Sequence, residues 1–542
     1  GRFERFADGR WEFRDLEGTN DTAQVRCDGQ LFDGPRGKQL ALTLTGRNVP
    51  LDKELHDSLK SSMQQAWDNL EPTGTIDLET NVTWLVEPKK LELVVVARPR
   101  ADAASIKPRM FPYLMEKLQG TLVYRDGRVT FDDFHARHGR TEITGRGQWD
   151  FLPDGSWDFC IRDVAVDRLR PDDRDLLQAL PGRLRESLAR LNIEGTMYLA
   201  RGRFDVHHSP AVAAPTRTAW DARLGLQPGR ISCGLSIDNI RGEVALRGES
   251  DGATFSSEGE LDVESLSYKK LQFTEVRGPL WIEPDRVLFG SWVAKREQQP
   301  NGAPIAPPRA VTGRLLGGTV RADAWVAPKF TPCYALNAEL LGADLAQYAT
   351  ETMTGRQELK GRMGMTLNLM GRRPTIAGLQ GGGRMWLRDG DVYKLPVMIA
   401  MLKLLSMQEP DVTAFSDADI LFQIAGDHVY LSQIQFNGDA VSLVGQGELD
   451  FQSNIDLAFS ARLGRNKWQV PILTPLMGEA SRQTMVIKVR GPLYDPEASR
   501  DVLPGVKEAL RELEANLRSS PAAGPGQPAF GQPNPGPNPL RR

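Results

Sequence analysis

The sequence predicts a mainly β protein: an elongated, curved antiparallel β-groove of stacked meander repeats, with short amphipathic helices and a C-terminal helix. Three observations lead there: a segment headed by Asp and Gly recurs along the chain, a helix–glycine–strand segment interleaves with it, and apolar and polar side chains alternate with period two near the C-terminal end.

The alternation is clearest over residues 441–463. Val441, Leu443, Leu449 and Phe451 share one parity with Gly445 and Gly447, opposite Ser442, Gln446, Glu448 and Asp450. Ile455, Leu457, Phe459 and Leu463 then alternate with Asp456, Ser460 and Arg462. Successive side chains of a strand point to opposite faces, so this pattern makes a sheet with one apolar and one polar face.

The first repeat matches residues 8–29 (DGRWEFRDLEGTNDTAQVRCDG) with 126–147 (DGRVTFDDFHARHGRTEITGRG), and more loosely with 426–447 (GDHVYLSQIQFNGDAVSLVGQG). The two closer copies place Asp-Gly first, then apolar residues two apart (Trp11 and Phe13; Val129 and Phe131). Another apolar residue follows three further on (Leu16; Phe134), and a second glycine closes the segment. A two-residue Asp-Gly loop signals a β-hairpin, because a type I′ turn needs positive φ at both central positions. Glycine pairs two apart (Gly145 and Gly147; Gly445 and Gly447) remove side chains where a sheet bends, a device for curvature.

The second repeat matches residues 49–78 with 169–199: an amphipathic helix, then a glycine (Gly74; Gly195), then a strand. In the later copy Leu177, Leu180, Leu184, Leu188 and Leu191 form one helical stripe. A shared period of about 120 residues means that modules stack on their neighbours in a quasi-one-dimensional core. Residues 207–216 and 297–308, rich in Pro and Ala, read as loops between modules.

Composition narrows the function. With 67 Lys+Arg against 70 Asp+Glu, a net charge of −3 and no basic clusters, nucleic acid is not an expected partner. The 52 glycines and 36 prolines point to many turns. Cys27, Cys160, Cys233 and Cys333 form no CxxC pair and read as small buried thiols, although their even count permits disulfides. No nucleophile elbow, Walker loop, HExxH or dinucleotide fingerprint is present, so no catalytic residue and no cofactor is expected. His135 and His138 could share a metal only on a helix, and they lie in a strand-like repeat, so no metal site is expected either.

An apolar sheet face needs a cover: a second sheet, helices, or lipid. The helices here are short, which leaves a sandwich or a trough holding acyl chains. The trough lining is expected to include Val429, Leu431, Val441, Leu443, Leu449, Phe451, Ile455, Leu457 and Phe459. Residues 395–407 (LPVMIAMLKLLSM) form the most hydrophobic run, too short for the roughly 20 residues that span a bilayer. As a helix it either closes the groove end or touches a membrane through Leu395, Val397, Met398, Ile399, Met401, Leu402, Leu404 and Leu405, or it is an ordinary core helix.

Residues 382–463 contain GGRMWLRDGDVYKLPVMIAMLKLLS and then FSDADILFQIAGDHVYLSQIQFNGDAVSLVGQGELDFQSNIDLAFSARL, followed at 489–496 by VRGPLYDP. This order of motifs resembles the AsmA-like C-terminal region, over residues 310–496. The resemblance implies a periplasmic protein of the AsmA-like family, related to the bridge-like lipid transfer proteins. It further implies an inner-membrane anchor upstream, phospholipid acyl chains as ligand, and a role in phospholipid transport and outer-membrane biogenesis, with an outer-membrane partner possible. On this reading residues 1–206 hold repeating groove modules, 217–296 a further module, 310–496 the AsmA-like region, 497–518 a terminal helix and 519–542 a disordered Pro/Gly-rich tail. The chain is expected to be a piece of a longer protein. The rival expectations are a periplasmic assembly factor that captures outer-membrane proteins by strand addition, and a structural β-protein without ligand.

Overall fold

The structure, a computed structural model, describes residues 1–100, 102–180, 185, 192–210, 216–232, 236–290, 309–327, 333–352, 359–372, 376–404, 415–437, 441–463 and 486–501. Among the described residues it is mainly β, with 27 strands, few helices and antiparallel pairing in each ladder described below. It divides into two compact units: residues 1–386 with 423–427, and residues 387–422 with 428–542.

The strands of the first unit are β1 (Arg2–Arg5), β2 (Trp11–Asn20), β3 (Ala23–Gly34), β4 (Gly37–Pro50), β5 (Thr75–Leu85), β6 (Lys90–Pro99), β7 (Glu116–Arg125), β8 (Arg128–His138), β9 (Thr141–Phe151), β10 (Trp157–Leu169), β11 (Ile193–His208), β12 (Thr216–Ser232), β13 (Ser236–Ser250), β14 (Phe255–Tyr268), β15 (Leu271–Ile282), β16 (Val287–Phe289), β17 (Val311–Leu315), β18 (Gly318–Val326), β19 (Tyr334–Asp344) and β20 (Arg362–Gly371). From β1 to β15 each strand pairs with the next, so this stretch is one long meander. β15 then pairs with both β16 and β17, and β17 to β20 continue the ladder. The division between the units runs through β21 (Leu379–Arg388) and β22 (Asp417–Ala425). The second unit carries β23 (His428–Asn437), β24 (Val441–Asp450), β25 (Asn454–Leu463), β26 (Val486–Pro492) and β27 (Glu497–Asp501), again paired in sequence.

Helices sit at strand ends. α1 (Lys53–Ser58) and α2 (Ser61–Leu70) precede β5, and Asp52 caps α1 by accepting from the Leu55 amide at 3.0 Å. α3 (Arg174–Ala179) precedes β11, α4 (Leu345–Thr352) precedes β20, and α5 (Pro396–Leu404) belongs to the second unit. α3 buries Leu176 and Ala179 in a cluster with Tyr113, Leu118, Ala136 and Ile143. Tyr348 of α4 packs similarly on Leu315, Leu316, Leu340 and Ala343. These clusters pack on the strand ends, where they bury residues of the sheet such as Ala136, Ile143 and Leu340.

The Asp-Gly repeat folds as hairpins with one amendment. Asp126 (φ 48°) and Gly127 (φ 84°) form the expected two-residue turn between the paired Arg125 and Arg128. In the first copy the loop is five residues long, 6–10, because Phe6 and Arg10 close it by a backbone bond and Gly9 alone takes positive φ. The apolar step of three is a β-bulge in all three copies: the register shifts between Phe13 and Leu16, Phe131 and Phe134, and Leu431 and Ile434. Asp15 (φ 51°) and Asp133 (φ 50°) occupy the first two bulges in the left-handed region that Asp tolerates.

Three expectations need correction. The stripe ran through Leu177 and Leu180, whereas α3 buries Leu176 and Ala179 and leaves Leu177 half-buried; Leu180, the extended residue that caps the helix, does pack against the same cluster, and Leu184, Leu188 and Leu191 lie outside the described residues. His207 and His208, expected in a loop, end β11 and pair with Arg217 and Thr216 of β12, so that junction is a hairpin of the meander. Residues 497–501, expected to open a terminal helix, form β27, because their amides and carbonyls complete the ladder with β26. Cys233, the loop 297–308, the remainder of the terminal helix (502–518) and the tail 519–542 lie outside the described residues.

Candidate functional site

In the first unit, direct cross-strand pairing lines up apolar residues on one face. One row runs Phe13, Gly29, Leu42, Val82, Leu93 from β2 to β6. Another runs Val95, Tyr124, Val129, Trp149, Phe159, Val206 from β6 to β11. A third runs Leu199, Leu224, Val244, Leu261 from β11 to β14. Directly opposite residues share a face, so the rows make one apolar surface from β2 to β14. The other face is charged, with cross-strand pairs such as Arg247 with Asp221 at 3.0 Å and Arg277 with Asp262 at 2.8 Å. Such exposed pairs add little stability. Their consequence is orientation: only one side of the sheet can accept an apolar partner.

Over β2–β6 the described residues leave that side half-open, while Tyr124, Trp149 and Leu199 further along it are buried. Leu42, Leu44, Val82, Trp84, Leu93 and Val95 are only half-buried, and among the described residues no helix or second sheet packs broadly over β2–β6. Further along, Trp149 stacks on Phe151 at 5.1 Å and meets Trp157 and Phe159 edge-on, so aromatic rings wall part of the surface. Strand glycines admit these rings: a Cβ on Gly147 would stand 2.6 Å from Phe131 and 2.3 Å from the Cys160 carbonyl. Gly145 has ordinary room, its nearest neighbours at 3.5 Å, so of this pair only Gly147 is sterically required.

The residues expected to line the trough lie in the second unit, and much of that unit's own apolar face is buried. Leu443, Ile455, Leu457 and Phe459 are buried, Phe459 to 1 % exposure, and Phe459 stacks on Phe436 at 5.7 Å. Val429, Leu431 and Leu449 are half-buried on that face, since Val429 pairs with Leu449 and Leu431 with Gly447. Val441 stands in β24, but its side chain lies outside the described residues. Phe451 is a correction: it sits in the turn after β24, 38 % exposed, because the strand ends at Asp450. Ile434, Phe436, Ile487 and Val489 complete the face, and the 429–431–434 spacing would have found the first two once the bulge was recognised.

α5 lies against β26 and β27. Val397, Met398, Ala400 and Met401 are buried while Leu395 and Ile399 are half-buried, so the buried four are not free to touch a membrane. The side chains of Leu402 and Leu404, and the whole of Leu405, lie outside the described residues. No helix among the described residues is long and apolar enough to cross a membrane.

Ionisable groups on the apolar face are few. Cys27 is half-buried there, opposite Leu16 and Leu44, and burial pushes its thiol pKa up, which leaves it a poor nucleophile. Cys160 lies on the polar face opposite Asp205; burial and then that carboxylate raise it too. Of the histidine pair, His135 is exposed and His138 turns inward at the end of β8, so the two do not converge. Compared with known proteins, the chain matches no protein-family model and no curated protein.

Proposed function

We propose that this chain is a non-enzymatic lipid-binding element of the AsmA-like kind. It holds or conducts phospholipid acyl chains along the apolar face of β2–β14, in the periplasm of a diderm bacterium. One observation carries the reading: an apolar surface many strands long, backed by a charged face, that the described elements leave half-open over β2–β6. Exposing an acyl chain to water costs about 0.8 kcal/mol per CH₂, so two long chains cost on the order of 20 kcal/mol. A continuous apolar track removes most of that barrier. The function on this reading is phospholipid movement in support of outer-membrane biogenesis, with the inner membrane reached through an anchor in a longer protein.

On this reading the lipid contact lies in the first unit rather than in the 429–463 region, a choice supported by the burial of Leu457 and Phe459. A photo-crosslinking residue at Val82 should capture phospholipid from cell membranes, whereas one at exposed Asn81, on the opposite face, should not. Equal labelling at the two positions would refute the assignment. Capture of unfolded outer-membrane protein at Val82 in place of lipid would favour the assembly-factor reading.

A further inference from the structure

Apart from the apolar face, a polar centre stands where β8 meets α3. His138 ends β8, Asp173 caps α3 and Asp175 lies in its first turn. Nε2 of His138 is 3.4 Å from Oδ2 of Asp175 and 3.8 Å from Oδ2 of Asp173, and one ligand atom from each residue falls within 4.8 Å of the others. Nδ1 of the same ring is 2.8 Å from the Leu114 carbonyl oxygen. A carbonyl can only accept, so Nδ1 carries the proton, and a neutral ring then turns the Nε2 lone pair toward two carboxylates.

A cation between the ligand atoms would satisfy both carboxylates and the lone pair. Two ligand atoms held about 2.1 Å from a tetrahedral zinc-type ion stand about 3.4 Å apart, and the Nε2 to carboxylate separations here are 3.4 and 3.8 Å.

Tyr113 supplies an independent sign. It is 1 % exposed, its ring lies 4.1 Å from that of His138, and its hydroxyl is buried without a hydrogen-bond partner. Buried hydroxyls almost always have a partner. A water on the open position of a bound ion would provide one.

We infer that His138, Asp173 and Asp175 bind one divalent cation of the zinc class, through Nε2 and one carboxylate oxygen each, with the fourth position open to water. The Leu114 carbonyl is the outer partner that fixes the ring, as backbone carbonyls do for metal-bound histidines. The ion ties α3 to the end of β8 and to the 106–115 segment, the elements that bury Tyr113, Leu176 and Ala179 together. It therefore acts as a clamp on that strand-end cluster.

Zinc alone, titrated into the full chain against a chromophoric chelator, tests this. The wild type should take up one competitive equivalent and gain thermal stability. Asp175→Asn should bind at least tenfold more weakly and lose the zinc-dependent stabilisation; Asp175 is 62 % exposed, so the amide leaves the fold intact. His135→Gln should match the wild type. Equal zinc affinity in the wild type and Asp175→Asn, or an equal loss in His135→Gln, would overturn the site.

Discussion

Val82→Asp tests the track directly. Val82 stands between Leu42 and Leu93 in register and is half-buried, so in the free protein the new carboxylate still reaches water. Losing half of a valine's burial costs about 1 kcal/mol, which the sheet tolerates. With an acyl chain laid over the row, the same carboxylate is dry and unpaired, and that costs several kcal/mol even after relaxation. At 1.4 kcal/mol per decade, about 4 kcal/mol lowers lipid occupancy at this position roughly a thousandfold. The control is Thr45→Asp, exposed on the opposite face between Arg26 and Glu79. Mass spectrometry of lipid co-purifying with each variant, alongside circular dichroism, gives the readout. Val82→Asp should be folded with its lipid strongly depleted, and Thr45→Asp folded and loaded. The block has a pH signature: a carboxyl among apolar groups has a raised pKa, so lipid should return as acid neutralises it. A folded Val82→Asp protein carrying wild-type lipid at pH 8 would refute the reasoning.

Three further outcomes follow from the packing. Gly147→Ala drives a Cβ into the Cys160 carbonyl and the Phe131 ring and should cost about 1–3 kcal/mol in urea unfolding, while Gly145→Ala, with contacts at 3.5 Å, should stay within about 0.5 kcal/mol of wild type. Asp133→Gly relieves a left-handed residue and should stabilise by up to about 1 kcal/mol, whereas Asp133→Ile should destabilise by about 1–2 kcal/mol, read as shifts in thermal midpoint. Phe459→Ala empties a site that is 1 % exposed and stacked on Phe436, and should cost the second unit about 3–5 kcal/mol; protease resistance of that unit at wild-type level would contradict its placement in a closed core.

The β class and the apolar parity of 441–463 were legible because period two is a local signal: Leu443, Ile455, Leu457 and Phe459 all fall on one face. What covers that face was not, since cover is a long-range property. In the second unit those side chains are buried, and no local pattern separates them from the half-open Leu42 and Leu93. The helix stripe was misphased by one residue because α3 is only six residues long, too short for the stripe to fix its rotation. His138, Asp173 and Asp175 were invisible as a group, since the histidine and the two acids lie in different repeats and meet only through the fold.

The bulges join the sequence pattern to the function. Strict alternation would keep a strand straight; one extra residue bends and twists it, and a parity slip must follow if the apolar set is to stay on its face. The step of three from Phe13 to Leu16, and from Phe131 to Phe134, is that slip written into the sequence. In β10 the same step runs from Ile161 to Val164, with Asp163 at φ 51°. Phe131, Gly147 and Ile161 stand in one cross-strand row, so the bulges at Asp133 and Asp163 fall just beyond the same row on strands two apart. Aspartate suits the place twice. It tolerates positive φ, and its charge stays on the polar side, where Asp163 meets Arg146 and Arg201 and Asp15 meets Arg26. Bends aligned from strand to strand fold a sheet along a line, and the unbroken apolar parity puts the greasy side chains on a single side of that line.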